Sequence, residues 1–398
     1  MTAVTAGQGG SFAVVDSVPE TFLDARARAV RKQLLAVIEE EVAPRAARCD
    51  ESGCFAGPGY QALASAGLAG LLFPRQLGGT GDTAVTYAMA VAEIAARCPS
   101  TSLIYMTQMH AGHPILLAGS PEQQRTWIPR LCSGLSYGSL AITEPDAGSD
   151  VASMTTTAIR DGDHYLLNGT KTFITSGNVA DIIVLFATVN RSAGRRGITA
   201  FALPGDAPGL SRGRTLRKLG MHGSPTAELF LDDVRLPTSA RLGADGAGWA
   251  LSMQSVIKSR LSAAAQGIGI ATRALHLATA ASHASGRPRQ EIAADLASWR
   301  TRLLTGRTLL YATASAIDAD APELTAQVSA MKLWCTDLGV GLADWVCDLL
   351  GARGDLAECE AERLLRDAKV TQIYDGTNEI QRLIIARDTA RQYEEQTR

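Results

Sequence analysis

The spacing of apolar residues changes twice along this 398-residue chain. Residues 1–136 and 246–398 carry long stretches with apolar side chains every three or four positions, which is the spacing of one helix face. Residues 137–245 instead carry short β-type runs separated by Gly, Asn and Asp turns. The pattern predicts an α+β protein with an N-terminal helical domain, a central antiparallel β domain and a C-terminal four-helix bundle, which occupy these three ranges.

Capping residues mark one helix of the N-terminal domain. Ser120 suits the N-cap, Pro121 suits the first helical position, and Gln123 completes a capping box. Gly134 provides a stop signal. The same apolar period predicts further helices at 60–66, 82–96, 101–118, 249–284, 291–319, 322–350, 358–368 and 377–391. Residues 1–17, rich in small side chains, are expected to form a loose tail.

Short strands joined by tight turns are expected in the central domain. Asp161-Gly162-Asp163 and Asn168-Gly169 are typical turn sequences. No G-x-G-x-x-G motif follows a predicted strand, so a nicotinamide site is not expected. The predicted strands lie at 156–160, 164–167, 170–175, 181–189, 198–203 and 227–231.

The charge balance argues against two classes of partner. With 38 Lys and Arg against 40 Asp and Glu, the formal net charge is -2, so neither nucleic acid nor an anionic membrane surface is expected to bind. No run of about eighteen apolar residues could span a bilayer. Met1 to Val14 resembles neither a signal peptide nor a transit peptide, so we expect a cytoplasmic protein.

Cysteine and histidine spacing predicts no metal site. The 7 cysteines are scattered, and none forms a Cys-x-x-Cys pair, which favours a reducing compartment without a disulfide framework. His110 and His113 lie three residues apart on one predicted helix, but no third ligand accompanies them.

The stretch 372–382, QIYDGTNEIQR, places an acidic side chain at a loop–helix junction. Asp375 and Gly376 form a tight-turn pair, and Thr377 and Asn378 can cap the following helix. A carboxylate held on such a support can act as a base toward a pocket. The alternative is that Asp375 only forms the turn, because Asp-Gly pairs are common in turns.

Four segments together resemble the acyl-CoA dehydrogenase family. They are LAITEPDAGSD at 140–150, KTFITSG at 171–177, KLGMHGSPT at 218–226, and the stretch 372–382 extended back through LRDAK at 365–369. The resemblance covers nearly the whole chain, and it implies two helical domains that flank a β domain. It also implies FAD bound at a dimer interface within a homo-oligomer, a dimer or a tetramer.

The resemblance assigns flavin and ligand contacts to the first two segments. Thr143 is expected to bond the pyrimidine edge of the flavin, with Leu140 packed beside it. Phe173 is expected against the flavin ring, and Thr175 near its N5 atom. Ser149 is expected to contact the thioester ligand. These residue types suit a flavin, which needs polar donors along one edge and an apolar plane against its face.

The resemblance also implies a reaction. Asp375 would take the proton α to a thioester carbonyl, and the flavin N5 would take a hydride from the β carbon. The Asp375 N–H is expected to stabilise the enolate oxygen together with a ribityl hydroxyl. Tyr374, Gly376 and Arg260 are expected at the substrate end of the site, and Thr377 on the cofactor.

The candidate base departs from the family pattern. Most relatives carry Glu at the position of Asp375, whose side chain is shorter by one methylene. Some branches place a Glu on the first long C-terminal helix, where this chain has Ser259. Asp375 is therefore the candidate base that remains, although a misplacement of about 1 Å can lower a rate roughly 100-fold.

Two FAD-binding segments depart as well. The family's Arg-x-x-Phe-Gly signature is replaced by SGRPR at 285–289, where Arg287 or Arg289 is expected to meet the pyrophosphate. The family's Gln-x-x-Gly-Gly-x-Gly loop reads DLLGARG at 348–354, which keeps Gly351 and Gly354 as expected cofactor contacts.

The leading hypothesis is FAD-dependent α,β-dehydrogenation of an acyl thioester on coenzyme A or on an acyl carrier protein. An electron-transfer flavoprotein is the electron acceptor that the resemblance implies. One alternative is a flavin-dependent monooxygenase or oxidase on the same fold. Another is a flavin-binding protein without catalytic activity.

Overall fold

The computed structural model describes residues 20–284 and 289–397, so the predicted tail at 1–17 and the predicted FAD contact Arg287 lie outside the described residues. None of the helices in this part of the chain combines the length and the apolar character needed to cross a bilayer. The described α-helices are α1 (Ala25–Val37), α2 (Ala46–Ser52), α3 (Gly57–Ser65), α4 (Ala84–Ala95), α5 (Pro99–Ala118), α6 (Pro121–Cys132), α7 (Gly248–Ala284), α8 (Arg289–Asp318), α9 (Thr325–Leu350), α10 (Glu360–Lys369) and α11 (Asn378–Gln396).

All strands of the described chain fall between the two helical regions, in the predicted order of helical, β and helical parts. They are β1 (Gly138–Ala141), β2 (Thr157–Asp161), β3 (His164–Thr175), β4 (Ile182–Thr188), β5 (Ile198–Pro204), β6 (Leu210–Arg212), β7 (Thr226–Pro237) and β8 (Arg241–Leu242).

Helix α6 begins and ends where its sequence predicted. The Ser120 hydroxyl accepts from the Gln123 N–H at 3.2 Å, and the Gln123 side chain accepts from the Ser120 N–H at 2.7 Å. Gly134 follows the helix with a φ of 73°, in the left-handed region. This prediction is confirmed, because each signal acts on the residues next to it at its own end of the helix.

The central sheet is mixed, not purely antiparallel as predicted. Among the described residues the strands follow the order β6-β7-β3-β2-β4-β5-β8, and β1 pairs with β4 outside this path. β1 and β4 run parallel, with Gly138 opposite Ile182, and one β2–β4 pair, Thr157 with Thr188, is parallel too. The β2–β3 hairpin lies between β1 and β4 in the chain, so β1 reaches β4 through a long crossover and not through a tight turn.

Strand β3 runs unbroken through the predicted turn at Asn168-Gly169, so that turn prediction is wrong. The pairing register with β7 shifts between Leu167 and Gly169, which marks a bulge. A Cβ on Gly169 would lie 2.6 Å from the Oγ1 atom of Thr156. The glycine is thus required by a close approach between neighbouring segments, which the local sequence pattern cannot distinguish from a turn.

The two helical regions share one apolar core although the β domain separates them in the chain. Buried side chains from α1 to α5 and from α7 to α10 form a single cluster, which includes Ile104 and Leu261. A second cluster packs one face of the sheet against α5, α6 and α7, and a third covers the other face. This packing holds the end of the sheet beside α5 and α7.

Candidate active site

The predicted catalytic loop lies between the short 3-10 turn Val370–Gln372 and the start of α11. Two successive residues lie in the left-handed region, Asp375 with a φ of 56° and Gly376 with a φ of 87°. Thr377 is the N-cap of α11, and its hydroxyl accepts from the Ile380 N–H at 3.4 Å. A residue other than glycine keeps a left-handed backbone only where its surroundings hold it there.

Lys332 of α9 supports this loop from the helical core. Its buried ammonium donates to the main-chain oxygen of Gly376 at 3.0 Å and to Oδ1 of Asn378 at 2.8 Å. Burial lowers the pKa of Lys332 to about 8, and the charge of Asp375 opposes this lowering. Lys332 therefore remains mostly protonated at neutral pH and ties both sides of the turn to α9.

Arg260 of α7 also lies against the main chain of the loop. Its Nε donates to the main-chain oxygen of Asp375 at 3.3 Å, and its Nη1 donates to the Ser329 hydroxyl at 3.2 Å. Burial lowers the pKa of Arg260 to about 10, with the charge of Asp375 opposing the change. The guanidinium thus stays charged and holds the residue that carries the candidate base.

The Asp375 carboxylate is left available by this arrangement. Its Oδ2 atom is buried and has no hydrogen-bond partner within the described part of the chain. Its charge reaches Tyr87 of α4 and His110 of α5, where burial raises the pKa of Tyr87 and lowers that of His110. An orphaned buried oxygen is costly unless a ligand or water completes it, so the carboxylate is placed as a group that faces a site.

Tyr374, expected at the substrate end, is fixed by its hydroxyl. It donates to Oε1 of Gln266 on α7, and the Gln266 amide donates to the main-chain oxygen of Pro99 at 3.0 Å. Burial raises the pKa of Tyr374 well above its ordinary value. The residue before Asp375 is therefore anchored to two helices that line the same region.

Strand β1 and the loop after it, expected to hold the flavin together with the end of β3, are joined to β3 by two hydrogen bonds. The Thr172 N–H donates to the main-chain oxygen of Thr143 at 3.0 Å, and the Ser139 hydroxyl donates to the main-chain oxygen of Thr175 at 2.7 Å. Leu140, Thr143 and Thr175 are half-buried. The structure thus brings three of the predicted flavin residues to one edge of the sheet.

Phe173 stands out beside them. It has a φ of 56° at a second register shift of β3, and it is 69% exposed. A large aromatic residue with this exposure on a strained strand position is unusual for a structural core residue. The hydroxyls of Ser176, in the segment 171–177, and of Ser224, in the segment 218–226, are buried without partners among the described residues.

Sequence reasoning missed the ion pair that supports this loop. The buried Lys171 ammonium donates to Oε1 of Glu144 at 2.8 Å and to the main-chain oxygen of Ile142 at 2.9 Å. Burial raises the pKa of Glu144, but Lys171 and the bonds from Thr155 and Thr156 outweigh it and bring the pKa to about 2. Both residues stand inside the recognised motifs, where charge complementarity was the available signal.

The third motif connects the sheet to α10. The Ser176 N–H donates to the main-chain oxygen of Pro225 at 2.7 Å, and the Met221 N–H donates to the Asp367 carboxylate. Asp367 is buried, and this burial raises its pKa to about 6. The segment 218–226 therefore fixes the C-terminal end of β3 relative to α10, the helix that leads into the Asp375 loop.

Three further predicted contacts have no bond to the Asp375 loop among the described residues. Ser149 is exposed on the loop after β1. Gly351 and Gly354 follow the C-terminal end of α9, and at a rise of about 1.5 Å per residue Gly351 is roughly 28 Å along the helix from Lys332. A Cβ on Gly354 would lie 2.3 Å from the main-chain oxygen of Cys347, so glycine is required there for packing.

No set of three or more His, Cys, Asp or Glu side chains within residues 20–284 and 289–397 is arranged to hold a metal ion. Nε2 of His110 lies 3.2 Å from the Ser262 hydroxyl, and Nδ1 of His113 is buried without a partner in the described chain.

Solved structures place the fold in one class. Butyryl-CoA dehydrogenase from Megasphaera elsdenii matches with a TM-score of 0.89 and 31% identity, covering 92% of this chain and 99% of that chain. The prolyl acyl carrier protein oxidase AnaB matches with a TM-score of 0.87 and 30% identity, covering 92% of this chain and 99% of that one. The fold is thus that of the flavoproteins that act on acyl thioesters.

Sequence comparison identifies the family. The family model of the acyl-CoA dehydrogenase N-terminal domain matches residues 24–135. The models of the middle and C-terminal domains match residues 139–234 and 246–390. An acyl-CoA dehydrogenase of Bacillus subtilis (strain 168) is 38% identical over 365 residues, which cover 90% of this chain and 96% of that protein. The chain belongs to the acyl-CoA dehydrogenase family, whose members are FAD-dependent oxidoreductases acting on CH–CH bonds.

The residues at the C-terminal end of β3 and in the loop after β1 fit this cofactor. The exposed Phe173 offers an apolar plane for a flavin ring, and the half-buried Thr143 and Thr175 offer polar groups beside it. The Ser176 hydroxyl, buried without a partner in the described part of the chain, is a further hydrogen-bonding group next to the end of β3.

Proposed function

We propose that this protein catalyses the α,β-dehydrogenation of an acyl thioester, with Asp375 as the base for the α proton. The observation that carries the proposal is the buried Oδ2 of Asp375, which has no partner among the described residues, on a loop held by two buried cations. FAD, when bound, supplies the hydride acceptor for the β carbon. The left-handed backbone at Asp375 sets the direction of a side chain that is one methylene shorter than Glu.

The same loop is proposed to stabilise the enolate. The Asp375 N–H donates to no group within the described residues, so it is free to bond a thioester oxygen. Tyr374 and Gly376 flank this donor and are proposed to contact the acyl group. Arg260 is proposed to act on the substrate through the loop, because its guanidinium bonds the Asp375 main chain.

The flavin is proposed to lie at the C-terminal end of β3. Phe173 would cover the ring face, Leu140 would pack beside it, and Thr143 and Thr175 would bond its polar edge. Thr377 is proposed to contact the cofactor from the N-terminus of α11, where free N–H groups and the helix dipole favour negative groups.

Further contacts are proposed for the ends of the ligands. Gly351 and Gly354 lie too far along α9 to meet a flavin beside Asp375 of the same chain, so they are proposed to contact the FAD of a second copy in a homo-oligomer. Ser149, exposed after β1, is proposed to contact the thioester carrier.

The carrier is proposed to be coenzyme A or an acyl carrier protein. The Bacillus subtilis relative is described as an acyl-CoA dehydrogenase, whereas AnaB is described as acting on an acyl carrier protein. An electron-transfer flavoprotein is proposed as the electron acceptor, by family resemblance.

The test is an anaerobic visible-absorption titration of the purified flavoprotein with acyl-CoA and acyl-carrier-protein thioesters. Bleaching of the oxidised flavin bands by one class supports dehydrogenation and names the carrier. A flavin that no thioester bleaches, but that reacts quickly with oxygen once reduced chemically, would instead favour the oxygenase alternative.

A further inference from the structure

A polar cluster lies beside Asp375 where α4, α5 and α7 meet. The Ser262 hydroxyl of α7 is 2.9 Å from the Tyr87 hydroxyl of α4 and 3.2 Å from Nε2 of His110 on α5. Arg260, two residues before Ser262 on α7, donates to the main-chain oxygen of Asp375 at 3.3 Å, so the cluster lies close to the candidate base. The charge of Asp375 also acts on Tyr87 and His110.

The cluster continues one turn along both helices, to His113 on α5 and Lys258 on α7. Nδ1 of His113 is buried and has no partner within the described residues. Burial lowers the pKa of His113 to about 4, and the positive charge of Lys258 adds to the effect, so the imidazole is neutral at neutral pH.

The Lys258 ammonium is the charged group of this cluster. Burial lowers its pKa, and the carboxylates of Asp318 and Asp320 at the end of α8 oppose the change. Within 20–284 and 289–397 its nitrogen forms neither a hydrogen bond to another side chain nor an ion pair, and the Asp318 carboxylate accepts instead from the Ala84 and Val85 N–H groups. A partly buried cation without a bonded counterion leaves an electrostatic demand that an anionic ligand can meet.

An apolar acyl chain would not satisfy these groups. Buried polar atoms in native proteins are nearly always hydrogen-bonded, and covering them with methylene groups would remove water as their partner. An amine-ended chain would bring a second cation toward Lys258. A carboxylate would satisfy both Lys258 and His113, since it accepts from the ammonium and from a His113 N–H.

We propose that the acyl group processed at this site carries a carboxylate at the end remote from the thioester, bound by Lys258 and His113. The proposal rests on the proposed function, because it makes the Tyr87–His110–Ser262 cluster the wall of the acyl pocket that begins at Asp375. Selectivity then comes from the polar end of the pocket.

The test compares thioesters of equal chain length, from four to eight carbons, that end in a methyl, a hydroxyl or a carboxylate group, each prepared both on coenzyme A and on an acyl carrier protein. The holoenzyme is reduced anaerobically by each, and kcat/KM is measured with an artificial electron acceptor. At the best length the carboxylate-ended thioester is expected to exceed the methyl-ended one at least about tenfold, the usual effect of one charged hydrogen bond.

Variants assign the preference to the named residues. Lys258→Met is expected to lower the carboxylate-to-methyl ratio of kcat/KM by about tenfold or more, whereas Lys258→Arg keeps the charge and most of the ratio. His113→Leu is expected to lower the same ratio by a smaller factor. Lys32→Met, a charge removal on the exposed face of α1, serves as the matched control and leaves the ratio unchanged.

The outcomes separate the two proposals. If no thioester of any kind reduces the flavin, the proposed dehydrogenation fails. If methyl-ended or hydroxyl-ended thioesters reduce it as well as the carboxylate-ended ones do, or if Lys258→Met leaves the ratio unchanged, the carboxylate inference is overturned while dehydrogenation stands.

Discussion

The Lys332 ammonium donates to the main-chain oxygen of Gly376 at 3.0 Å, and this contact ties the Asp375 loop to the middle of the C-terminal helices. The same ammonium binds the side chain of Asn378, so one buried cation holds the residue after the candidate base and the first residue of α11. The position of the carboxylate therefore depends on a residue of α9.

Removing this cation is predicted to reduce the rate more than the binding. In Lys332→Met the turn loses two charge-assisted bonds, and a displacement of the carboxylate by about 1 Å should lower kcat for flavin reduction roughly 100-fold with a smaller change in KM. Rapid-mixing measurement of flavin bleaching checks this. Lys369→Met, which removes an exposed cation near the same loop, is the control and should stay near the wild-type rate. Equal losses in the two variants would contradict the role of Lys332.

The Glu144–Lys171 pair predicts a pH dependence of stability. The folded-state pKa of Glu144 is about 2 against an ordinary value of 4.5, so its stabilisation is complete above about 4.5 and is lost as the pH falls toward 2. Burial lowers the pKa of Lys171 to about 8, so the cost of burying this cation offsets part of the stabilisation on the Glu144 side.

Glu144→Gln removes this contribution and leaves Lys171 buried without its counterion. The difference in the free energy of unfolding between wild type and variant, measured with urea at fixed protein concentration, should be largest at pH 7 and narrow steadily between pH 4.5 and pH 3. A difference that stays constant with pH would show that the pair contributes no pH-dependent stability.

Phe173 is predicted to act on the cofactor and not on the fold. Because it is 69% exposed, Phe173→Ala should change the free energy of unfolding of the flavin-free protein by less than about 0.5 kcal/mol. The same variant should weaken FAD binding about tenfold, since it removes the aromatic plane proposed for the ring. Phe173→Tyr keeps the plane and is the control. A large loss of stability with unchanged FAD affinity would make Phe173 a structural residue.

Cys54 is predicted to be the most reactive thiol among the described cysteines. Hydrogen bonding with the Ser52 side chain and with Cys49, whose Sγ accepts from the Cys54 Sγ at 3.3 Å, lowers the pKa of the Cys54 thiol, whereas burial raises the pKa of Cys49 to about 12. Brief alkylation with iodoacetamide at pH 7.5, followed by peptide mass mapping, should label Cys54 first. Preferential labelling of a buried cysteine such as Cys335 would contradict this order.

Local signals explain what could be predicted of the fold. The capping box of Ser120 and Gln123 acts within one turn, and the order of helical and β regions follows from periodicity alone. The turn predicted at Asn168-Gly169 was wrong because glycine is required there by the close approach of Thr156 on a neighbouring segment. Such a contact leaves no mark in the sequence around it.

The candidate site follows the same division. The family resemblance pointed to Asp375, to Arg260 and to the end of β3, but not to Lys332 or to the loop contacts of either cation. Arg260 and Lys332 lie 115 and 44 residues from the groups they bind, so only the packing of α7 and α9 brings them together. Lys258 and His113 belong to no motif, and their relation to the site emerges only from the meeting of α5 and α7.

The most direct test of the central claim is the rate of anaerobic flavin reduction by a saturating thioester in wild type, Asp375→Asn and Asp375→Glu. Asparagine keeps the size of the side chain but cannot take the α proton, so the rate should fall by a factor of about 1000 or more, while glutamate, still a base, should retain substantial activity. Retained FAD and an unchanged melting temperature in Asp375→Asn would assign the loss to chemistry. Reduction of the flavin by Asp375→Asn at a rate close to that of wild type would show that Asp375 is not the base.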